Sequence, residues 1–288
     1  MTRALPRASL YSASLVRFLT ENALIAPARQ AADVGQQLGD WLDFRQAIAL
    51  HGVLPPDTAR AAQTALQPAP VPSRPLLKPE ALAKHLDKVR AQLVESITQG
   101  APAGSGLARI DMPALDLDEP VDIKTAFEPY RRFVAAHQRQ MESTLRSLRA
   151  QLRLQLSQRG SAGQQLAALD TAFENILAER EAALLAKAHT LLEKRFVQTL
   201  KLQLQTRAKT TPAARVTSET AEDALHATVV TDAAPNAPQQ IDPDSWLMPL
   251  HQGLRQSLHQ ALLAELDTRL QPALGLLEAI TSFAGQTP

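Results

Sequence analysis

Residues 131–153, RRFVAAHQRQMESTLRSLRAQLR, repeat apolar side chains at intervals of three and four residues. The same spacing continues on the N-terminal side, and the full apolar stripe consists of Phe127, Tyr130, Val134, His137, Met141, Leu145, Leu148 and Leu152. Residues at these intervals share one face of an α-helix, because one helical turn takes 3.6 residues. The stretch therefore predicts a long amphipathic helix, which we place at residues 121–158.

A second long helix is expected after a short turn that contains Gly160 and Gly163. Residues 164–205 carry another apolar stripe, made of Leu166, Leu169, Phe173, Ile176 or Leu177, Leu184, Leu191 and Leu200. At a rise of 1.5 Å per residue each helix would be ~60 Å long. This pattern predicts a long antiparallel, coiled-coil-like hairpin over 121–205, with Leu148 and Leu184 buried between its two helices.

The rest of the chain divides into helices and linkers around this hairpin. On the N-terminal side we expect a small helical hairpin at 1–54, a proline-rich linker at 55–79, a helix at 80–99 and a glycine-rich, then acidic loop at 100–120. Residues 206–243 have no aromatic residue and no apolar period, which predicts a disordered linker. A last helix is expected at 244–288, and Pro272 should kink or split it.

The composition favours an all-α protein. Alanine and leucine dominate the apolar residues, and aromatic residues make up only 4% of the chain. Alanine and leucine cost little in a helix, whereas strands favour β-branched and aromatic side chains. The apolar stripes of the hairpin and of the last helix must be covered. A three-helix antiparallel bundle would cover all of them, and self-association of the hairpin would serve equally well.

The chain contains no cysteine and has a net charge of +1. The lack of cysteine excludes disulfides, thiolate catalysis and cysteine-based zinc sites, and it suits a reducing compartment. No apolar run approaches the ~20 residues that a membrane helix needs. The first residues, MTRALPRASLYSASLVRFL, resemble an organellar presequence, but we favour an ordinary amphipathic helix because the next helix continues the same pattern. We expect a cytoplasmic protein.

The sequence offers no pattern for catalysis or cofactor binding. The glycine motifs that cradle phosphates and the nucleophile motif of hydrolases are absent. His251 and His259 lie eight residues apart, and with Glu265 they would need a further element to bind zinc. We therefore expect no metal, no cofactor and no enzymatic activity. We expect His137 at the edge of the core, with one hydrogen-bond partner.

Arginines recur every seven residues along the first long helix, at Arg132, Arg139, Arg146 and Arg153. If Val134 and Met141 are heptad positions a, all four arginines occupy position f, which points away from the partner helix. The candidate residues for binding an anion or a partner are these four and Arg149.

Glu142 is the only acid in residues 131–159, so these arginines lack matched charges within their own helix. Three explanations stay open. The stripe is a solvated face, or it meets the acidic segments 111–128 or 206–243 of the same chain, or it binds an external anion such as RNA, DNA or an acidic protein. Aromatic residues for stacking on bases are absent from the stripe, which argues against specific recognition of single strands.

Four stretches together resemble a proteobacterial family known as domain of unknown function 3348. They are LGDWLDFRQAIALHGVL (38–54), YRRFVAAHQRQMESTLRSLRAQLR (130–153), LAALDTAFENILAEREAALLAKAHTLLEKRF (166–196) and LDTRLQPALGLLEAI (266–280). The family has no assigned catalytic residues to carry over. The resemblance implies a bacterial protein, which argues against an organellar presequence. It also implies a cytoplasmic accessory of an envelope complex, because genes of this family lie near that of an OmpA-like envelope protein.

From these observations we expect a non-enzymatic helical interaction or adaptor protein, with a protein partner or a second copy bound through apolar helix faces. The alternative is a nonspecific nucleic-acid-binding protein that uses the arginine stripe. Salt separates the two, because binding to phosphates weakens steeply as salt rises and apolar packing does not.

Overall fold

The computed structural model describes residues 14–26, 39, 42–53, 75–114, 122–216 and 246–285. Within these ranges the protein forms α-helices and no strand, which confirms the all-α class. The helices are α1 (Ser14–Glu21), α2 (Phe44–Val53), α3 (Pro79–Thr98), α4 (Glu128–Ser157), α5 (Ser161–Val216) and α6 (Leu247–Ala284). The predicted linker at 55–79 lies mostly outside the described residues, as does most of the segment at 206–243. The division of the chain into the predicted segments stays a prediction.

The two long helices α4 and α5 form the predicted antiparallel hairpin. Ion pairs join Arg153 to Asp170 near the turn and Arg131 to Glu193 further away, so residue numbers rise on one helix as they fall on the other. The turn is tight: a Cβ atom added to Gly163 would lie 2.2 Å from the carbonyl oxygen of Leu156. Gly160 has a φ of 101°, which glycine adopts without strain.

Helix α6 lies at the centre of the bundle, where it packs against α1, α3, α4 and α5. It runs parallel to α4, because Tyr130 meets His251 near the start of both helices and Gln138 meets Glu265 further along. Leu258, Leu262, Leu266, Leu270 and Ile280 of α6 are almost completely buried. The last helix therefore covers the hairpin, as the bundle arrangement predicted. Helices α1 and α3 also pack against it.

Helices α1 and α3 are joined to α6 by Asp267. Its carboxylate accepts hydrogen bonds from Arg90 of α3 at 3.0 Å and from Ser14 of α1 at 3.4 Å. Helix α2 packs along α5 and begins behind a reciprocal cap, in which Asp43 and Gln46 each accept the other's backbone N–H.

The buried stripe of α5 differs from the predicted one. Leu184 is 51% exposed, whereas its neighbour Leu185 is 5% exposed. The prediction continued a strict seven-residue interval from Leu177, and a straight helix drifts by about 20° per heptad from that interval. Leu185 instead follows Ala167 by 18 residues, which is five full turns. The placement of Leu184 in the core is therefore wrong.

The split at Pro272, one of the two outcomes expected there, does not occur, and the expected end of the second long helix is corrected. Helix α6 continues without a break through Pro272, and Ala273 and Leu276 beyond it are buried. The helix is not split, because packing on both sides of the proline outweighs its local cost of ~3 kcal/mol. Helix α5 ends at Val216 rather than at residue 205.

The described part of the glycine-rich loop, residues 100–114, covers the side of the bundle. Leu107, Ile110 and Met112 are partly buried against the core. None of the described helices is both long and apolar enough to span a membrane.

Candidate functional site

The arginine stripe splits into exposed and covered members. Arg132 and Arg146 of α4 are exposed, with 80% and 65% of their side chains accessible, and Arg139 is exposed as well. In contrast, the side chains of Arg149 and Arg153 are only 15% and 14% exposed. The five candidate residues therefore do not form one uniform surface.

Arg149 and Arg153 lie between α4 and α5, where they form the turn cluster with Asp170 and Glu174. Asp170 accepts hydrogen bonds from Arg149 and Arg153 at 2.6 Å each. Glu174 pairs with Arg153 at 2.5 Å. Two positive and two negative side chains thus cancel one another near the hairpin turn.

Position f was the wrong assignment for Arg153. Its side chain turns toward α5 instead of solvent. Three heptads separate it from Arg132, and a straight helix rotates by about 20° per heptad, so the two side chains diverge by about 60°. That rotation brings Arg153 over the groove between the helices.

Two of the three exposed arginines have an acidic neighbour one turn before them. Arg132 pairs with Glu128 at 3.4 Å, and Arg146 pairs with Glu142 at 2.5 Å. Arg139 donates to the backbone oxygen of Ala135. Glu128 belongs to the acidic segment 111–128, so contact with that segment exists at its last residue. Asp170 and Glu174, the acids that cover Arg149 and Arg153, were not among the expected partners.

A second group of polar side chains, the core cluster, lies where α4, α5 and α6 meet. Its centre is Glu265, a fully buried carboxylate of α6. Glu265 accepts hydrogen bonds from His189 of α5 at 2.7 Å, from Arg269 of α6 at 2.8 Å and from Gln138 of α4 at 3.1 Å. Each of the three helices therefore contributes to one buried carboxylate.

The pKa of Glu265 lies below its ordinary value. Burial raises this pKa, but the hydrogen bond and the charge of His189, together with Arg269 and Gln138, lower it by more. The carboxylate thus stays ionised in the interior. Nδ1 of His189 is buried without a hydrogen-bond partner in the described part of the chain.

His137 is fully buried, not at the edge of the core as expected. Its Nε2 has no hydrogen-bond partner among the described residues, and its ring packs edge-on against Phe133 at 4.6 Å. Burial, with a smaller effect from His259, lowers the pKa of His137 to about 4. The side chain is therefore neutral at physiological pH and acts as part of the core.

His251 is held close to Tyr130 at the start of α4 and α6. Nδ1 of His251 lies 3.0 Å from the hydroxyl oxygen of Tyr130, within hydrogen-bond distance. Burial raises the pKa of Tyr130, and the charge of Arg255 offsets part of this effect. Burial and the charge of Arg255 lower the pKa of His251. The pair is thus neutral and joins the two parallel helices.

The residues that the structure describes contain no group of three or more histidine or acidic side chains placed to hold a metal ion. Glu265 is bound to His189, whereas His251 is bound to Tyr130. Two of the three residues considered from sequence as a distant zinc set thus serve in separate contacts.

An apolar cleft of about 460 Å³ lies near the hairpin turn, between α4 and the residues that lead into α3. Leu77 and Leu154 line it together with Leu82. The backbone of Leu77 is held on both sides, because its N–H donates to Gln155 and its oxygen accepts from Arg159. The side chains of Leu77 and Leu154 stay exposed in the lining of this cleft, and the preceding Leu76 is exposed as well.

Sequence analysis missed the core cluster as a unit. Glu265 lies three residues after Leu262 and seven after Leu258, so it belongs to the apolar stripe of α6 by position. His189 likewise follows Leu185 by four residues. The available signal was a charged or titratable residue at a position of the apolar stripe. Only the folded bundle shows that Glu265 and His189 meet.

A family model described as "Protein of unknown function (DUF3348)" matches residues 1–282. This match confirms the resemblance that the four quoted stretches carry. No curated protein and no solved structure matches the chain.

Proposed function

We propose that this chain, which belongs to the DUF3348 family, is a non-enzymatic helical interaction protein that holds an apolar segment of a partner protein in the cleft near the hairpin turn. The observation that carries the proposal is the exposure of Leu77 and Leu154, at 46% and 39%, in the lining of one cleft. Apolar side chains scattered singly are common on protein surfaces, but a cluster around a concavity is typical of binding sites.

The cleft is preformed. Two side-chain hydrogen bonds, from Arg159 and to Gln155, hold the backbone of Leu77 against α4 at 2.9 Å and 2.8 Å. A surface that is already ordered loses little conformational entropy when a partner binds. An apolar side chain of a partner helix would fill the cleft, with His85 and Gln151 at its polar rim.

Helix α2 supplies a second exposed apolar surface. Phe44 is 81% exposed and Ile48, one turn later, is 56% exposed. These side chains share one face of the helix because they are four residues apart. The two surfaces together support binding of a protein rather than a small substrate.

The lack of enzymatic activity is part of the proposal. Glu265 and His189 are the pair of titratable groups closest to a catalytic arrangement, and they are joined at 2.7 Å. Glu265 is fully buried and His189 is 8% exposed. A substrate would have no access to this pair, so its role as a structural contact has more support.

Nucleic-acid binding has less support than protein binding. Only Arg132, Arg139 and Arg146 of the five candidate arginines are exposed, and two of these three pair with a glutamate. Carboxylates beside the arginines repel phosphates and reduce counterion release.

A cytoplasmic location and a role beside a bacterial envelope complex extend the proposal. The cysteine-free sequence supports a reducing compartment. The envelope complex rests on the implied gene neighbourhood of the family.

Charge placed in the cleft tests the proposal. We would compare Leu154→Asp with the matched control Ser147→Asp, which adds the same charge to an exposed position of the same helix one heptad earlier. Proteins retained by the full chain from a lysate of the native bacterium would be identified by mass spectrometry. Light scattering would measure whether the chain self-associates.

We expect Leu154→Asp to lose a partner, or to lower the measured mass if the partner is a second copy, whereas Ser147→Asp keeps wild-type behaviour. Thermal melts of both variants would show that each is folded. The same proteins and the same mass for the two variants would rule the cleft out as the binding surface.

A further inference from the structure

A groove of about 290 Å³ runs between α4, α5 and α6, beside the turn cluster. Its apolar lining consists of Leu145, Ala178, Ala182 and Ala273. Three of these four residues are alanines, and their small side chains leave the space between the helices open. The groove is separate from the apolar cleft, which lies against α3.

Arg146 and Glu142 at the edge of this groove pair closely, at 2.5 Å, whereas the two ion pairs that cross the groove are longer. Arg149 lies 3.7 Å from Glu174, and Arg269 lies 3.9 Å from Glu181. Both distances exceed that of a hydrogen bond. Glu181 accepts no hydrogen bond from any residue that the structure describes.

The two arginines are nevertheless held in place from behind. Arg149 donates to Asp170 at 2.6 Å, and Arg269 donates to Glu265 at 2.8 Å. Each guanidinium therefore keeps a fixed orientation while its Nη1 has no close acceptor on the groove side. Such preorganised donors suit an oxyanion, because the planar guanidinium binds it with little loss of freedom.

The charges lining the groove balance, since three arginines and three glutamates contribute to it. A simple anion would meet the glutamates, and a simple cation would meet the arginines. A ligand that carries one negative and one positive charge can pair the first with an arginine and the second with a glutamate. Glu174 and Glu181 are seven residues apart on α5, which places the two ends of the groove about 10.5 Å apart.

We propose that this groove binds a short zwitterionic peptide of about dipeptide length. Its carboxylate binds Arg149 at one end, and its ammonium group binds Glu181 at the other. An extended dipeptide separates its terminal charges by about 7 Å, and a hydrogen bond at each end covers the remaining distance. The alanines leave room for small side chains. This inference goes beyond protein docking at the apolar cleft and does not depend on it.

Titration calorimetry with four probes tests the assignment. The probes are the dipeptide Ala-Ala, its N-acetylated form, its C-terminal amide and free alanine. We expect Ala-Ala to bind at least about tenfold more tightly than each of the others, because a lost charge contact of 1.4 kcal/mol lowers affinity tenfold. Free alanine is too short to reach both ends.

Glu181→Gln should weaken binding of Ala-Ala about tenfold. Its side chain is 49% exposed, so the variant is expected to fold. Glu179→Gln is the matched control, because Glu179 is exposed on the same helix and does not line the groove. It should bind Ala-Ala as the wild type does.

Three results would overturn the inference: a blocked peptide that binds as tightly as Ala-Ala, equal losses in Glu181→Gln and Glu179→Gln, or no binding of Ala-Ala up to about 10 mM. None of them bears on the apolar cleft, which has its own test at Leu154.

Discussion

Two clusters of charged side chains hold the helices of the bundle together, and they differ in how far water reaches them. In the turn cluster, the side chains of Arg149, Arg153, Asp170 and Glu174 are 14–25% exposed, and two charges of each sign face one another. In the core cluster, the side chain of Glu265 is 1% exposed and takes donors from three helices.

The difference separates the roles of the two clusters. Ion pairs near the surface gain little, because water and salt screen them. A buried carboxylate becomes costly as soon as its donors are lost, since the desolvation cost remains. We therefore expect the turn cluster to set the register of α4 and α5, and the core cluster to make the docking of α6 specific for one position.

The largest expected effect is that of Glu265→Ala. This change leaves His189, Arg269 and Gln138 without their shared acceptor in the interior, and it should lower the free energy of unfolding by about 3–5 kcal/mol. Urea unfolding followed by circular dichroism would measure it. Glu265→Gln keeps the shape and should cost less. If Glu265→Ala and Asp170→Ala lowered the free energy of unfolding equally, the distinction between the two clusters would be wrong.

Acid should destabilise the protein through the buried His137. The pKa of His137 is about 4 when folded and 6.5 as its ordinary value, so the unfolded chain binds more protons between these limits. Stability contributed by neutral His137 is complete above pH 6.5 and falls by up to about 2–3 kcal/mol as the pH drops to 4.

Unfolding free energies measured at half-unit steps of pH would test this effect. His137→Leu should flatten the slope between pH 4 and 6.5. The exposed His85→Leu provides the control and should keep the wild-type slope. A slope that His137→Leu leaves unchanged would assign the acid sensitivity to other groups.

Asp170→Asn should have a smaller effect than either change in the core. It removes the charge that two arginines share but keeps an acceptor, so we expect a loss of about 1–2 kcal/mol. The loss should shrink in 1 M salt, because the cluster is partly open to water. A loss that salt does not change would place the turn cluster in the same class as the core cluster.

The smallest effect is expected for the exposed arginines. Arg132→Gln, Arg139→Gln and Arg146→Gln should each change stability by no more than about 0.5 kcal/mol, and the triple variant should stay folded. Arg153→Gln, at a covered position, should cost more. Salt-sensitive retention on DNA would be measured for the triple variant and for Arg153→Gln. If only the triple variant lost this retention, nucleic-acid binding would have more support than protein binding.

Much of the fold was predictable because each long helix carries an apolar stripe with a clear period. The stripe of α4 gave Met141, Leu145, Leu148 and Leu152 as buried residues, and all four are buried. The pattern was less reliable over longer distances. Small differences between periods of 3.5 and 3.6 residues accumulate, which exchanged Leu184 for Leu185 and turned Arg153 toward α5.

The candidate sites depend on which helices become neighbours, and the sequence does not contain that information in local form. Glu265 and His189 are 76 residues apart in the chain, and neither has a motif around it. Asp170 was available as an acid about two and a half turns into α5, but its partners Arg149 and Arg153 could be chosen only after the register of the hairpin was known.

The central position of α6 has a consequence for synthesis. This helix is the last in chain order, and Ser14 of α1 contacts Asp267 across 253 residues of sequence. The ribosome therefore releases α1 to α5 before the helix that covers their apolar faces exists. Until α6 emerges, those apolar faces are uncovered, so we expect the newly made protein to be a substrate for chaperones that shield apolar surface.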